Sequence, residues 1–183
     1  MNCVNCNSKA CKAKSVDCTG EGQSTLRKYH DENISRLYAD ADSLVAGGRA
    51  GTLSRIEEIA EFSEKQGYKH IALAYCYGLE PLARDVHAFL TEKGFSVSSF
   101  RCTIQGLREK DIVDSLGDSV SCNPIGQAET INKSDAGLVI EIGLCLGHDI
   151  LFHQHIKKPF TVFTVKDRVF NNSPHLYFSR DKK

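Results

Sequence analysis

The sequence predicts an α/β protein: a three-layer, Rossmann-like parallel sheet preceded by a short cysteine-rich metal-binding segment. Three observations lead there. Beyond about residue 52, short apolar runs alternate with stretches of helical periodicity, and that alternation builds parallel sheets with helices on both faces. Glycine or proline punctuates most of the junctions. Residues 1–23 are polar, hold four cysteines and contain almost no large apolar side chain, so a metal would have to supply their folding energy. Residues 24–183 are read as one Rossmann-like domain with an N-terminal helix packed alongside.

Taken in order, residues 24–46 place Leu26, Ile34, Leu37, Tyr38, Ala41, Leu44 and Val45 near helical spacing, and Gly47, Gly48 and Gly51 then break the chain. A helix over 52–66 buries Ile56, Ile59, Ala60 and Phe62, with Thr52 as its N-cap and Gly67 as its stop. The run 70–76 ends at Gly78 and has the profile of a buried parallel strand. Pro81 opens the next helix, Gly94 ends it, and 95–102 form a second strand. Residues 107–116 suggest a short helix. Asn123-Pro124 reads as N-cap and first residue of a helix to about Lys133. The most apolar strand is 136–142, followed by a helix over 147–156, a strand over 159–165 and a short strand over 175–178.

Composition narrows the function classes. Lys+Arg and Asp+Glu both number 23, so a nucleic-acid partner held by bulk charge is not expected. Hydrophobic residues make up 41 %, enough for a core, while no apolar run approaches the ~20 residues of a membrane span. The N-terminus lacks the apolar stretch of a signal peptide, so the expectation is a soluble, cytoplasmic protein with no membrane partner. In a reducing compartment, eight cysteines point to metal binding or redox chemistry rather than to disulfides.

The cysteines fall into two sets. Cys3, Cys6, Cys11 and Cys18 follow a Cys-x2-Cys-x4-Cys-x6-Cys spacing close to that of a zinc knuckle, and Lys9, Lys12 and Lys14 among them would offset the charge of a tetrathiolate. Cys76, Cys102 and Cys145 follow three strands, and Cys122 precedes a helix. In a parallel sheet all strand C-termini open on one edge, where helix N-termini favour thiolates, so four sulfurs distant in sequence are expected to meet there. Taken singly, each of these cysteines also suits a small buried apolar position. Thiolates select zinc, Cu(I) or iron–sulfur clusters. His148 and Asp149, just after Cys145, are candidates for a further ligand or an acid/base group, and equally for ordinary helix capping. Lys166, Asp167 and Arg168 follow the last core strand at the same edge. His153 and His155 read as surface residues, and Glu141, within an apolar run, requires a partner. The glycines near residues 143–147 do not spell a dinucleotide-binding loop.

The segments Ala-Tyr-Cys-Tyr-Gly-Leu, Cys-Asn-Pro-Ile-Gly-Gln-Ala-Glu, Gly-Leu-Cys-Leu-Gly-His-Asp and Thr-Val-Lys-Asp-Arg-Val, with the leading Cys-x2-Cys-x4-Cys, resemble an uncharacterised family of cysteine-rich proteins. Its members, mostly from anaerobes, are labelled predicted metal-binding proteins and form a domain of unknown function. The resemblance implies metal binding through the cysteines and no established reaction. The family's first segment often ends in Cys-Pro, whereas Thr19 follows Cys18 here. The expected function is therefore a metal-binding protein with two cysteine sites holding zinc or an iron–sulfur cluster. A small-molecule substrate or an electron-transfer partner is the partner class beyond the metal. The alternatives are a small-molecule-binding Rossmann-like module with a structural N-terminal zinc, and a non-catalytic metal sensor or carrier.

Overall fold

Strand and helix alternate along the second half of the chain as the sequence predicts, and every strand pairs in parallel. The computed structural model describes residues 1–180. Two compact units divide it, Met1–Arg49 and Ala50–Lys183.

The first unit carries α1 (Ala10–Lys14), α2 (Gly22–Lys28) and α3 (Glu32–Asp42), then one turn of 3-10 helix. The expected single helix over 24–46 is two helices. Asp31 ends the first by capping the second, its carboxylate accepting from the N–H groups of Asn33 and Ile34. Asp17 organises the loop before α2. Its carboxylate accepts from the Thr19, Gly20 and Gly22 N–H groups and the Thr19 hydroxyl, and these bonds, the hydroxyl's first, lower its pKa to about 2. Leu44 is the buried side chain of this unit among the described residues.

The second unit begins with α4 (Arg55–Gln66). Its N-cap is Ser54, not Thr52: Ser54 and Glu57 form a capping box that Thr52 lies too far upstream to make. Gly67 closes the helix at φ 73°, the left-handed geometry that glycine tolerates. There follow β1 (His70–Tyr75), α5 (Glu80–Glu92), β2 (Ser96–Arg101), the single turn α6 (Glu109–Ile112), α7 (Pro124–Asn132), β3 (Leu138–Ile142), α8 (His148–His155) and β4 (Phe160–Thr164). Residues 174–179 form 3-10 helix rather than the expected strand, starting at Pro174, whose fixed φ suits a helical first turn and whose missing N–H does not suit a ladder.

The strand order is β2-β1-β3-β4. Ile71, Leu73 and Tyr75 of β1 and Leu138, Ile140 and Ile142 of β3 pack with α4 and α5 on one face. Ala72, Ala74 and Val139 pack with Ala128 and Ile131 of α7 and Phe152 of α8 on the other. The result is the three-layer, Rossmann-like α/β sandwich. From β1 the chain steps outward to β2, and from β3 it steps the other way to β4, so the topological switch lies between β1 and β3. In sheets of this kind, ligands bind in the crevice outside the strand C-termini at such a switch point. Among the described residues no helix is long and apolar enough to cross a membrane.

Candidate metal centre

Four loops meet over that crevice, and each brings a cysteine. Cys76 directly follows β1 and Cys102 directly follows β2, each held in the extended line of its strand by backbone bonds, Cys76 N–H to Ile142 C=O at 3.1 Å and Cys102 N–H to Tyr75 C=O at 2.9 Å. Cys122 arrives through Asn123. The Asn123 N–H donates to the Cys102 carbonyl at 2.6 Å, and its side chain caps α7 by accepting from the Gly126 N–H at 2.9 Å. Cys145 sits in the loop after β3, which turns at Gly143. That glycine has φ 60°, the left-handed geometry that favours glycine, and a Cβ there would stand 2.2 Å from Leu79 Cδ1, whose side chain would have to move.

Two of the sulfurs touch. Cys122 Sγ lies 3.4 Å from Cys102 Sγ, and Cys76 is electrostatically coupled to Cys102. The Tyr77 N–H donates to Cys102 Sγ at 3.3 Å. Cys145 stands outside this pair but within electrostatic reach of Cys122, and both pack on the apolar cluster that contains Cys76 and Cys102. Arg168, from the loop after β4, donates through Nη2 to Cys145 Sγ at 3.3 Å and its charge also reaches Cys76. Lys166 Nζ lies 3.3 Å from the point where a Gly78 Cβ would be, and Cys76 Sγ lies 3.9 Å from the same point. Two cations therefore overlook the sulfurs.

Contact sets the thiols apart in acidity. Cys76 is pushed far above the usual thiol range, first by its bond to Cys102 and then by burial. Cys102 is lowered, first by that same bond and, against burial, by the Tyr77 N–H. Burial raises Cys122. One sulfur, Cys102, thus collects the stabilisation that a thiolate needs.

Of the other singled-out residues, Asp149 serves its own helix, accepting from the Gly147 and Ile150 N–H groups at 3.0 and 2.7 Å. The His148 N–H donates to the Cys145 carbonyl at 2.8 Å, which ties α8 to the cysteine loop. His153 is not simply a surface residue. Its Nε2 lies 2.5 Å from Oε2 of the buried Glu141, which supplies the partner that carboxylate requires. His155 donates from Nδ1 to Leu151 C=O at 2.8 Å. Composition gave no hint of Gln127. Fully buried on α7, it donates to the Tyr75 and Phe100 carbonyls at 3.3 and 2.7 Å and so clamps the two strand ends beneath Cys76 and Cys102.

The N-terminal cysteines lie in the first unit, and all four are exposed. Cys3 and Cys6 bracket a turn closed by Cys6 N–H to Cys3 C=O at 3.2 Å. The Cys6 thiol is lowered, first by the backbone N–H of Lys9 and then by the Ser8 hydroxyl and N–H. Lys9, just before α1, has the left-handed φ of 45°.

Residues 11–163 match the family described as "Protein of unknown function (DUF1847)". The chain belongs to this family. The matched span of this DUF1847 chain takes in Cys11, Cys18 and all four crevice cysteines, with Cys3 and Cys6 ahead of it. The "Uncharacterized protein MJ0455" of Methanocaldococcus jannaschii is 36 % identical over 179 residues, covering 94 % of this chain and 91 % of the relative. No solved structure matches the chain.

Among the described residues of the DUF1847 protein, no three His, Cys, Asp or Glu side chains are set around a common point as a metal's ligands. Cys122 and Cys102 are closed on one another by a sulfur–sulfur hydrogen bond. Around a tetrahedral zinc with bonds of about 2.3 Å, neighbouring sulfurs lie about 3.8 Å apart. The Cys102–Cys122 separation of 3.4 Å is a few tenths of an ångström short of that. Donor type and spacing thus suit one thiophilic ion once the thiols ionise and spread. A [4Fe–4S] cluster, whose four thiolates grip separate irons, needs them farther apart.

Proposed function

We propose that this is a metal-binding protein of a reducing cytoplasm, with a thiolate centre at the C-terminal edge of the sheet and a second centre in the N-terminal segment. The observation that carries the proposal is the Cys102–Cys122 sulfur contact of 3.4 Å at the C-terminal edge of the sheet, with Cys76 electrostatically coupled to Cys102 from the end of the neighbouring strand. Cys145 is the fourth ligand. Arg168 and Lys166 balance the negative charge that ionised thiols bring, and the Tyr77 N–H donates to Cys102 Sγ, which favours its thiolate. A bound ion there acts as a Lewis acid if a coordination position stays open, and as a structural or stored ion if all four thiolates close on it. The N-terminal centre uses Cys3, Cys6, Cys11 and Cys18, and the N–H groups already aimed at Cys6 are what supports it.

Metal analysis and visible spectroscopy of protein purified without oxygen test this. One ion per centre is expected, zinc in a colourless protein. Brown absorption would assign an iron–sulfur cluster to one of them. Cys76→Ser and Cys145→Ser should each cost the crevice ion and leave the N-terminal one. Cobalt in place of zinc should show intense tetrahedral thiolate bands that weaken in the same variants. Metal-free protein that takes up no cobalt would overturn the proposal and leave a small-molecule-binding module with cysteines used for packing.

A further inference from the structure

We infer that Cys102 and Cys122 form a reversible disulfide, so that the crevice is a two-electron thiol–disulfide couple reacting with small-molecule disulfides. The sulfur geometry carries this, and only the release of a bound ion rests in addition on the metal-site reading.

The two sulfurs are 3.4 Å apart, and a disulfide needs them at about 2.05 Å, so about 1.3 Å of closure is required. The Asn123 N–H is bonded to the Cys102 carbonyl at 2.6 Å, which lays the chain at Cys122 directly alongside Cys102. Cys76 extends β1 beside β2 in parallel register, Tyr75 opposite Arg101, and its backbone is held in the ladder by its N–H to the Ile142 carbonyl at 3.1 Å. Cys122 enters from a loop and has no strand ladder to hold it.

Access sets the order of events. Cys102 is 2 % exposed, whereas Cys122 is partly exposed, so an incoming disulfide RSSR meets Cys122 first. The Cys122 thiolate attacks one sulfur of RSSR, the S–S bond breaks, and RS⁻ leaves to be protonated as RSH. Cys102 then attacks the Cys122 sulfur of the mixed disulfide and expels the second RS⁻, which takes the other proton. The protein loses two electrons and two protons, and RSSR becomes two RSH. Run backwards, two small thiols reduce the pair and Cys102 leaves as a thiolate held by the Tyr77 N–H. With an ion bound, oxidation removes two of its ligands.

Oxidised glutathione added to fully reduced, chelator-treated full-length protein provides the test, followed by alkylation and tryptic mapping. Each crevice cysteine falls on a different tryptic peptide: 70–84, 102–108, 111–133 and 134–157. The expected result is a cross-link of 102–108 to 111–133 with loss of two free thiols among the four crevice cysteines, while the Cys76 and Cys145 peptides stay alkylated. Cys76→Ser should still form it. A Cys76–Cys102 link, an even mixture of pairs, or glutathione left on Cys122 would overturn the inference. A zinc-loaded sample treated alike should release its crevice zinc. Cross-linking in a protein that binds no metal would sink the metal-site reading and leave this one standing. Metal binding without cross-linking in the stripped protein would do the reverse.

Discussion

A carboxylate inside an apolar central strand needs partners, and Glu141 has them. The His153 ring meets it at 2.5 Å, and the Leu144 N–H donates to it from the loop that carries Cys145. His153 is itself stacked on Phe160, ring centroids 4.6 Å apart. Burial raises the Glu141 pKa, and the bonds from His153 and Leu144 only partly offset it. The sign of the stability effect follows. A group whose folded pKa lies above its unfolded value, about 4.3 for glutamate, contributes stability that is complete below that value and lost as pH rises through the folded one. Denaturant unfolding across pH 4 to 8 should show that decline in the native chain and a flatter profile in Glu141→Gln, whose amide oxygen still accepts from Leu144. An unchanged slope in Glu141→Gln would assign the titration elsewhere. Glu141→Ala, which strands both partners, should cost about 3 kcal/mol. The sequence shows that Glu141 needs a partner, but the partner lies 12 residues away and is set by how α8 folds back over β3, which spacing alone does not reveal.

At the scale of elements, α7 links fold and site. Its first turn joins three roles in Asn123: cap for Gly126, backbone donor to Cys102, and amide donor to Gln105 Oε1 at 3.0 Å. Asn123→Ala should lower stability by about 1 to 2 kcal/mol, read by denaturant unfolding. It should also weaken cobalt binding at the crevice and slow formation of the Cys102–Cys122 disulfide, because Cys122 loses its registration against Cys102. A loss of stability with neither effect would make Asn123 a cap and nothing more. This element was legible because Asn-Pro followed by a helical run carries both cap and first-turn signals, and the strands were legible because fully buried parallel strands read as unbroken apolar runs. Ser54 was displaced to Thr52 because caps are chosen by local bonding among several Ser and Thr. The break at Asp31 was hidden because the apolar spacing continues across it. That Cys76, Cys102 and Cys145 lie past strand ends at one edge of the sheet follows from parallel topology, while the contact of Cys102 with Cys122 depends on how the loop before α7 folds back, which the sequence does not encode locally. The crevice cations were half visible: Lys166 and Arg168 stood at the right edge, but nothing in the spacing tied Arg168 to Cys145.

Across the whole molecule, buried apolar surface is unequally divided, and metal removal should expose the difference. The Ala50–Lys183 unit has an apolar cluster on each face of its sheet, whereas in Met1–Arg49 the buried side chain is Leu44. A unit with so little core gains its order from bound metal if it has one, while a unit with a full core keeps its fold without. Chelation should therefore leave one cooperative thermal transition, that of Ala50–Lys183. It should fall by about 10 °C from its zinc-saturated value, since ligand at a hundred times its dissociation constant adds about 2.7 kcal/mol. The first unit should respond in kind rather than degree. Trypsin cleavage at Lys9, Lys12 and Lys14, which lie among the N-terminal cysteines, should slow about a hundredfold on zinc saturation, in proportion to the depleted open state. Equal cleavage with and without zinc would remove the N-terminal centre from the proposal while leaving the crevice centre to stand on its own sulfurs.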